Sequence, residues 1–149
     1  MSKQNFYDLN FDQLKNFLIE KVDIDVKKAK MRAQQMFNAV YKKNIKNFDE
    51  LTTFGLELRE NIKKFISLDK PKIIDIQKSK DGTIKFLLEL KDKRNVETVL
   101  IPDKTQSRYT ICLSVSVGCY LSCEFCATAQ ISKKLVRNLT PGEIISQII

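Results

Sequence analysis

The sequence has 149 residues, 43% hydrophobic and 30% charged, with only 4 Gly and 3 Pro. That balance supports a packed core and excludes disordered, collagen-like and low-complexity chains. The net charge of +8 is shared evenly between the two halves of the chain and points to an anionic partner, with RNA as one candidate. The absence of His removes His-based metal sites, Ser-His-Asp triads and Cys-His dyads. No apolar run approaches the ~18 residues of a membrane span.

The polar stretch Met1 to Asn10 lacks the apolar core of a secretory signal, so the chain is expected in the cytoplasm. Thiols stay reduced there, so the four cysteines are read as ligands or reactive groups. The first half reads as helices. Asn10 and Gln13 form a capping-box signature ahead of Phe11, Leu14, Leu18 and Val22 at helical spacing. Asp25 caps a second helix whose stripe is Ala29, Ala33, Met36, Phe37, Val40 and Tyr41. A turn around Asp49 to Leu51 precedes a third helix with Leu58, Ile62, Phe65 and Ile66. Lysines gather at Lys27, Lys28 and Lys30, next to Arg32, and again at Lys42, Lys43 and Lys46; each group serves as a phosphate contact or as a solvated face.

Composition changes at Asp69-Lys70-Pro71, which divides the chain into a helical domain, 1–70, and a β-rich segment, 71–149. Strands are expected at Lys72 to Gln77 and at Ile84 to Leu90, around an Asp81-Gly82 turn. Further strands are expected at Val96 to Ile101, ended by Pro102, and at Thr110 to Val117. Thr140-Pro141-Gly142-Glu143 then opens a helix carrying Ile144, Ile145, Ile148 and Ile149. A helix this short has nothing here to bury those isoleucines against, so the sequence is expected to be the front part of a longer protein.

Chemistry concentrates in GCYLSCEFCATAQ, where Cys119, Cys123 and Cys126 form C-x3-C-x2-C within eight residues. Three thiolates this close can face one small object. Structural zinc takes four ligands, usually as two separated pairs. A 4Fe-4S cluster held by three cysteines fits better and leaves one iron open to a substrate or cofactor. Zinc and coincidental thiols are the weaker alternatives. Cys112, seven residues earlier and inside a strand, is either a fourth ligand, a reactive thiol or a buried strand residue.

The three-cysteine motif, with an aromatic before its last Cys, resembles the radical S-adenosylmethionine (SAM) enzymes. Four blocks in order, VETVLIP, ICLSVSVGC, CEFCATAQ and LVRNLTPGEII, resemble the bacterial RNA adenine-C2 methyltransferases of the RlmN family. The segment KMRAQQMFNAVYKKNIKNFDELTTF is similar to that family's accessory N-terminal domain. The resemblance implies an α+β chain: an RNA-binding helical accessory domain, a small β segment, and the first strand-loop-helix unit of a radical SAM α/β barrel, cut short. It implies methylation of C2 of one adenine in 23S rRNA and one in certain tRNAs, by a monomer that draws on an electron donor.

By the same resemblance, Cys119, Cys123 and Cys126 would hold a 4Fe-4S cluster whose open iron binds SAM, and Phe125 would lie against the adenine side of SAM. Glu97 would handle a proton at the target adenine. Cys112 would release the product from a methyl-carrying cysteine further along the chain and leave a disulfide. The methyl-carrying cysteine is not among the four here, so this chain alone is expected to be inactive. Ser116 stands where many members have Gln. Two other readings stay open: a Cfr-like enzyme that methylates C8 of a ribosomal adenine, and a non-catalytic iron-sulfur or RNA-binding fragment.

Overall fold

A computed structural model describes residues 3–103, 105, 107–121, 123–126 and 136–149. The Ala-Thr-Ala-Gln stretch and Leu135, which carry part of the family resemblance, lie outside the described residues. The chain is a mixture of helix and strand in two units, residues 1–69 and 70–148.

In the first unit, strand β1 (Gln4–Asn5) pairs in parallel with β2 (Ile66–Ser67), and three helices lie between them: α1 (Phe11–Glu20), α2 (Val26–Phe37) and α3 (Leu56–Phe65). The capping box expected at Asn10 and Gln13 is present in both directions, each bond 2.9 Å. Asp25 caps α2 by accepting from the Lys27 amide at 2.7 Å. The α2 stripe buries Ala29, Ala33 and Met36, then continues through a π-helical turn, Asn38–Lys42, that buries Ala39 and Val40. Phe6, Leu14, Leu18, Phe54 and Ile62 complete this core. Tyr41, expected on the stripe, is 39% exposed, yet its ring packs against Phe6, Tyr7 and Phe37 with centroids 5.8, 6.2 and 5.3 Å away.

The second unit is built on an antiparallel meander of β3 (Lys72–Lys78), β4 (Ile84–Glu89), β5 (Asn95–Asp103) and β6 (Arg108–Cys112). A smaller pair, β7 (Ser116–Val117) with β8 (Arg137–Asn138), precedes α4 (Pro141–Ile145). Two expectations change. The third strand runs through Pro102 to Asp103, because β4 pairs with β5 only as far as Leu100 and leaves Pro102 on an unpaired side. The single strand expected from Thr110 to Val117 is broken after Cys112, and β7 changes partner to β8.

The core of this unit is Leu88, Leu90, Val96, Val117 and Leu139, with Phe86 and Ile144 packed against it. Ile144 therefore does find a surface to bury against, contrary to expectation, while Ile148 remains 48% exposed. Strand alternation places Phe86, Leu88, Val96 and Thr98 on the core side of the sheet. Lys85, Leu87, Glu97 and, across the β5–β6 ladder, Cys112 lie on the opposite side.

Candidate functional site

Glu97 sits in mid-β5, opposite Leu87, with its side chain 52% exposed and its Oε1 2.9 Å from Lys85 Nζ. Its backbone C=O accepts from Ser114 Oγ at 2.7 Å. Cys112 ends β6 opposite Val99 and is exposed, which sets aside its buried-strand reading. Glu97 and Val99 alternate onto one face, so Glu97 and Cys112 share that face one strand apart.

A cleft of about 500 Å³ adjoins Glu97, bounded also by Leu87, Arg94, Ser114, Ser116 and Gly118; Cys112 is not among its lining residues. Gly118 has φ +77, a left-handed conformation that favours glycine, and directly precedes Cys119. The Gly118 C=O accepts from Ser116 Oγ at 3.0 Å. The turn that launches the cysteine loop is thereby fixed at the edge of the cleft.

Cys119, Cys123 and Cys126 are half-buried on this loop, none of them in a disulfide. One hydrogen bond, from Cys126 N–H to Cys123 C=O at 3.0 Å, closes the turn between the last two. Among the described residues, no group of three or more His, Cys, Asp or Glu side chains is arranged to hold a metal ion. The loop thus carries the three thiols without gathering them into a finished ligand set. Such gathering is coupled to metal binding, since thiolates crowded together repel until a cation neutralises them. Phe125 is 91% exposed beside them.

The far end of the loop returns through β8, where sequence reasoning missed the central residue. Arg137 donates from Nε to Asp92 Oδ2 at 2.8 Å and from both terminal nitrogens to the Glu143 carboxylate at 2.7 and 2.8 Å. These bonds hold the Glu143 carboxyl below the usual carboxylate range, against the opposing effect of its burial, and lower Asp92 in the same way. Glu143 also closes the Thr140 capping box. The Thr-Pro-Gly-Glu signature revealed the box, but nothing local reveals Asp92, 45 residues away.

Of the first unit's basic residues, Lys27, Lys28, Lys30, Lys42, Lys43 and Lys46 are exposed. Arg32 is not one of that set. It donates to Gln35 Oε1 and to the Thr53 C=O at 3.0 Å each, and its guanidinium lies 4.8 Å from the centre of the Phe54 ring. No helix among the described residues is long and apolar enough to cross a membrane.

Residues 4–68 match the family of the ribosomal RNA large subunit methyltransferase N-terminal domain. The chain is 40% identical over 157 aligned positions to the dual-specificity RNA methyltransferase RlmN of Campylobacter fetus, covering 98% of this chain and 41% of that protein. It is 38% identical to the probable dual-specificity RNA methyltransferase RlmN of Staphylococcus aureus, covering 99% of this chain and 38% of that one. A crystal structure of a radical SAM methyltransferase from Sphaerobacter thermophilus superposes with a TM-score of 0.81 at 32% identity, over 97% of this chain and 40% of that protein. The chain thus spans about two-fifths of the length of the relatives it matches.

Proposed function

Since this chain belongs to the RlmN family, we propose that the full-length protein is a cytoplasmic, monomeric radical SAM enzyme that methylates C2 of an adenine in 23S rRNA and in tRNA. The segment from β7 to α4 is the first strand-loop-helix unit of its barrel, and the first unit supplies RNA affinity. One juxtaposition carries the reading: Glu97 shares a sheet face with Cys112 and lines a cleft that is also bounded by Gly118, the residue that leads into the three-cysteine loop.

Cys119, Cys123 and Cys126 are the residues to hold a 4Fe-4S cluster, three thiolates with no competing His, and Phe125 is assigned to the adenine side of SAM. With SAM bound and an electron donor present, the cluster supplies the radical chemistry needed at C2, a carbon neither acidic nor nucleophilic enough for polar methyl transfer. This chain's own residues act afterwards. Glu97 accepts a proton from the adenine adduct, and the one electron that this radical adduct must also give up would pass back to the cluster. Cys112 bonds to the sulfur of the methyl-carrying cysteine, the carbon–sulfur bond breaks, and the methyl carbon keeps the electron pair and takes up a proton. A disulfide remains, and its reduction readies the enzyme again.

The test uses full-length protein. Anaerobic reconstitution should load about four irons and four sulfides. Replacing Cys119, Cys123 and Cys126 together by Ala should abolish that loading, while Cys112→Ala should retain it and accumulate RNA covalently joined to protein. Glu97→Gln should form 5′-deoxyadenosine while methylating about 10²–10⁴-fold more slowly. Loss of the cluster in Cys112→Ala, or 8-methyladenine as the product, would overturn the assignment.

A further inference from the structure

Continuing the β5–β6 register beyond the Val99–Cys112 pair would bring Ser114 opposite Glu97. The ladder stops instead, and the Gln147 side chain takes the place of a strand. Its Oε1 accepts from the Ser114 N–H at 3.1 Å and from Thr98 Oγ1 at 2.7 Å. Its Nε2 donates to the Ser114 C=O at 2.9 Å and to the Glu143 C=O at 3.1 Å. Two donors and two acceptors exhaust what a carboxamide offers. Towards Ser114, the Gln147 amide presents an N–H and a C=O as a paired strand's peptide groups do. Ser114 keeps only its side-chain bond to the Glu97 carbonyl. Thr98, next to Glu97, is buried at 4% exposure, and the four bonds are partly shielded from water.

We propose that Gln147 is a positioning residue: a wedge of amide that splays β6 away from β5 after Cys112, opens the cleft beside Glu97, and fixes the separation at which Glu97 and Cys112 work. The proposal rests on the reading of those two residues given above. The backbone leading to Cys119 leaves the sheet through this same wedge, so its loss loosens the residues after Cys112 without touching any thiol or carboxylate. Gln147→Met keeps the length and loses every hydrogen bond. Gln147→Glu keeps the acceptor and regains the donor only when protonated.

The experiment compares these variants with Cys112→Ala in full-length enzyme, measuring iron content, melting temperature, hydrogen exchange at the Ser114 amide, and the ratio of trapped RNA–protein adduct to released methylated RNA. Gln147→Met should exchange the Ser114 amide about tenfold faster and raise the adduct ratio about five- to tenfold at unchanged iron content. Gln147→Glu should fall between, its ratio approaching that of the unsubstituted enzyme as the pH is lowered towards the carboxylate range. A side chain that only stabilises the fold would reduce the folded fraction and all products together, leaving the ratio alone. A normal ratio in both Gln147 variants beside a trapping Cys112→Ala overturns this proposal only. A Cys112→Ala enzyme that turns over freely removes the assignment of Cys112 and the wedge's purpose with it.

Discussion

Arg137 ties three places in the second unit together through one guanidinium, and its contribution should be visible in acid. Its side chain is 30% exposed and that of Glu143 18%, so the bidentate pair is partly shielded from solvent. Arg137 lowers the carboxyls of Glu143 and Asp92 in the folded state. A depressed carboxylate adds stability that is fully present above its unfolded value and is lost as the pH falls through the folded one. Arg137→Met should therefore cost about 1–2 kcal/mol at neutral pH. That difference should shrink progressively below about pH 4. Urea unfolding at pH 7 and at pH 3 checks it, and an equal loss at both would show that the pair contributes only packing. Residues of this kind were not legible in the sequence. Cys119, Cys123, Cys126, Glu97 and Cys112 stand out because a motif or a resemblance carries them. Arg137 and Gln147 meet partners 33 to 49 residues away through side chains, and no local period encodes such a meeting.

At the level of elements, caps and periodicity served well wherever the interaction is local. The boxes at Asn10 and Thr140, the α2 stripe and the hairpin at Asp81-Gly82 all rest on residues within a few positions of one another. What differed depended on neighbours across space: the break after Cys112, the passage of β5 through Pro102, and the packing of the partly buried Ile144 against the core. The short parallel pair β1–β2 was invisible because two residues make no pattern. The β3–β4 turn offers a sharp test of the element it closes. Gly82 adopts φ +94, and a Cβ there would stand 3.2 Å from Pro102 Cγ. Gly82→Ala meets both the left-handed penalty and a crowded neighbour, and should destabilise the sheet by about 1–2 kcal/mol. A denaturation midpoint unchanged from the parent would show that the turn relaxes into another type.

Under the proposed function, the molecule divides RNA binding and radical chemistry between its two units. The exposed lysines of the first unit suit phosphate, where contacts are strongly salt-dependent and largely blind to sequence. Charge reversal at Lys27, Lys28, Lys42 and Lys43 in the full-length protein should weaken RNA binding and flatten its salt slope while leaving the iron content alone. Unchanged affinity would identify these lysines as a solvated face. The second unit carries a temporal order in its topology. Each strand of the meander pairs with its immediate successor in the chain, so those contacts close over short loops at small entropic cost. Gln147 must bridge 33 residues to reach Ser114, and the whole cysteine loop lies within that span. On a growing polypeptide the sheet that bears Glu97 and Cys112 can therefore be complete while the three thiols still hang from an open segment. The Gln147 contact that fastens the segment becomes available only after every residue of the cysteine loop has been synthesised, so local pairing in the sheet precedes it.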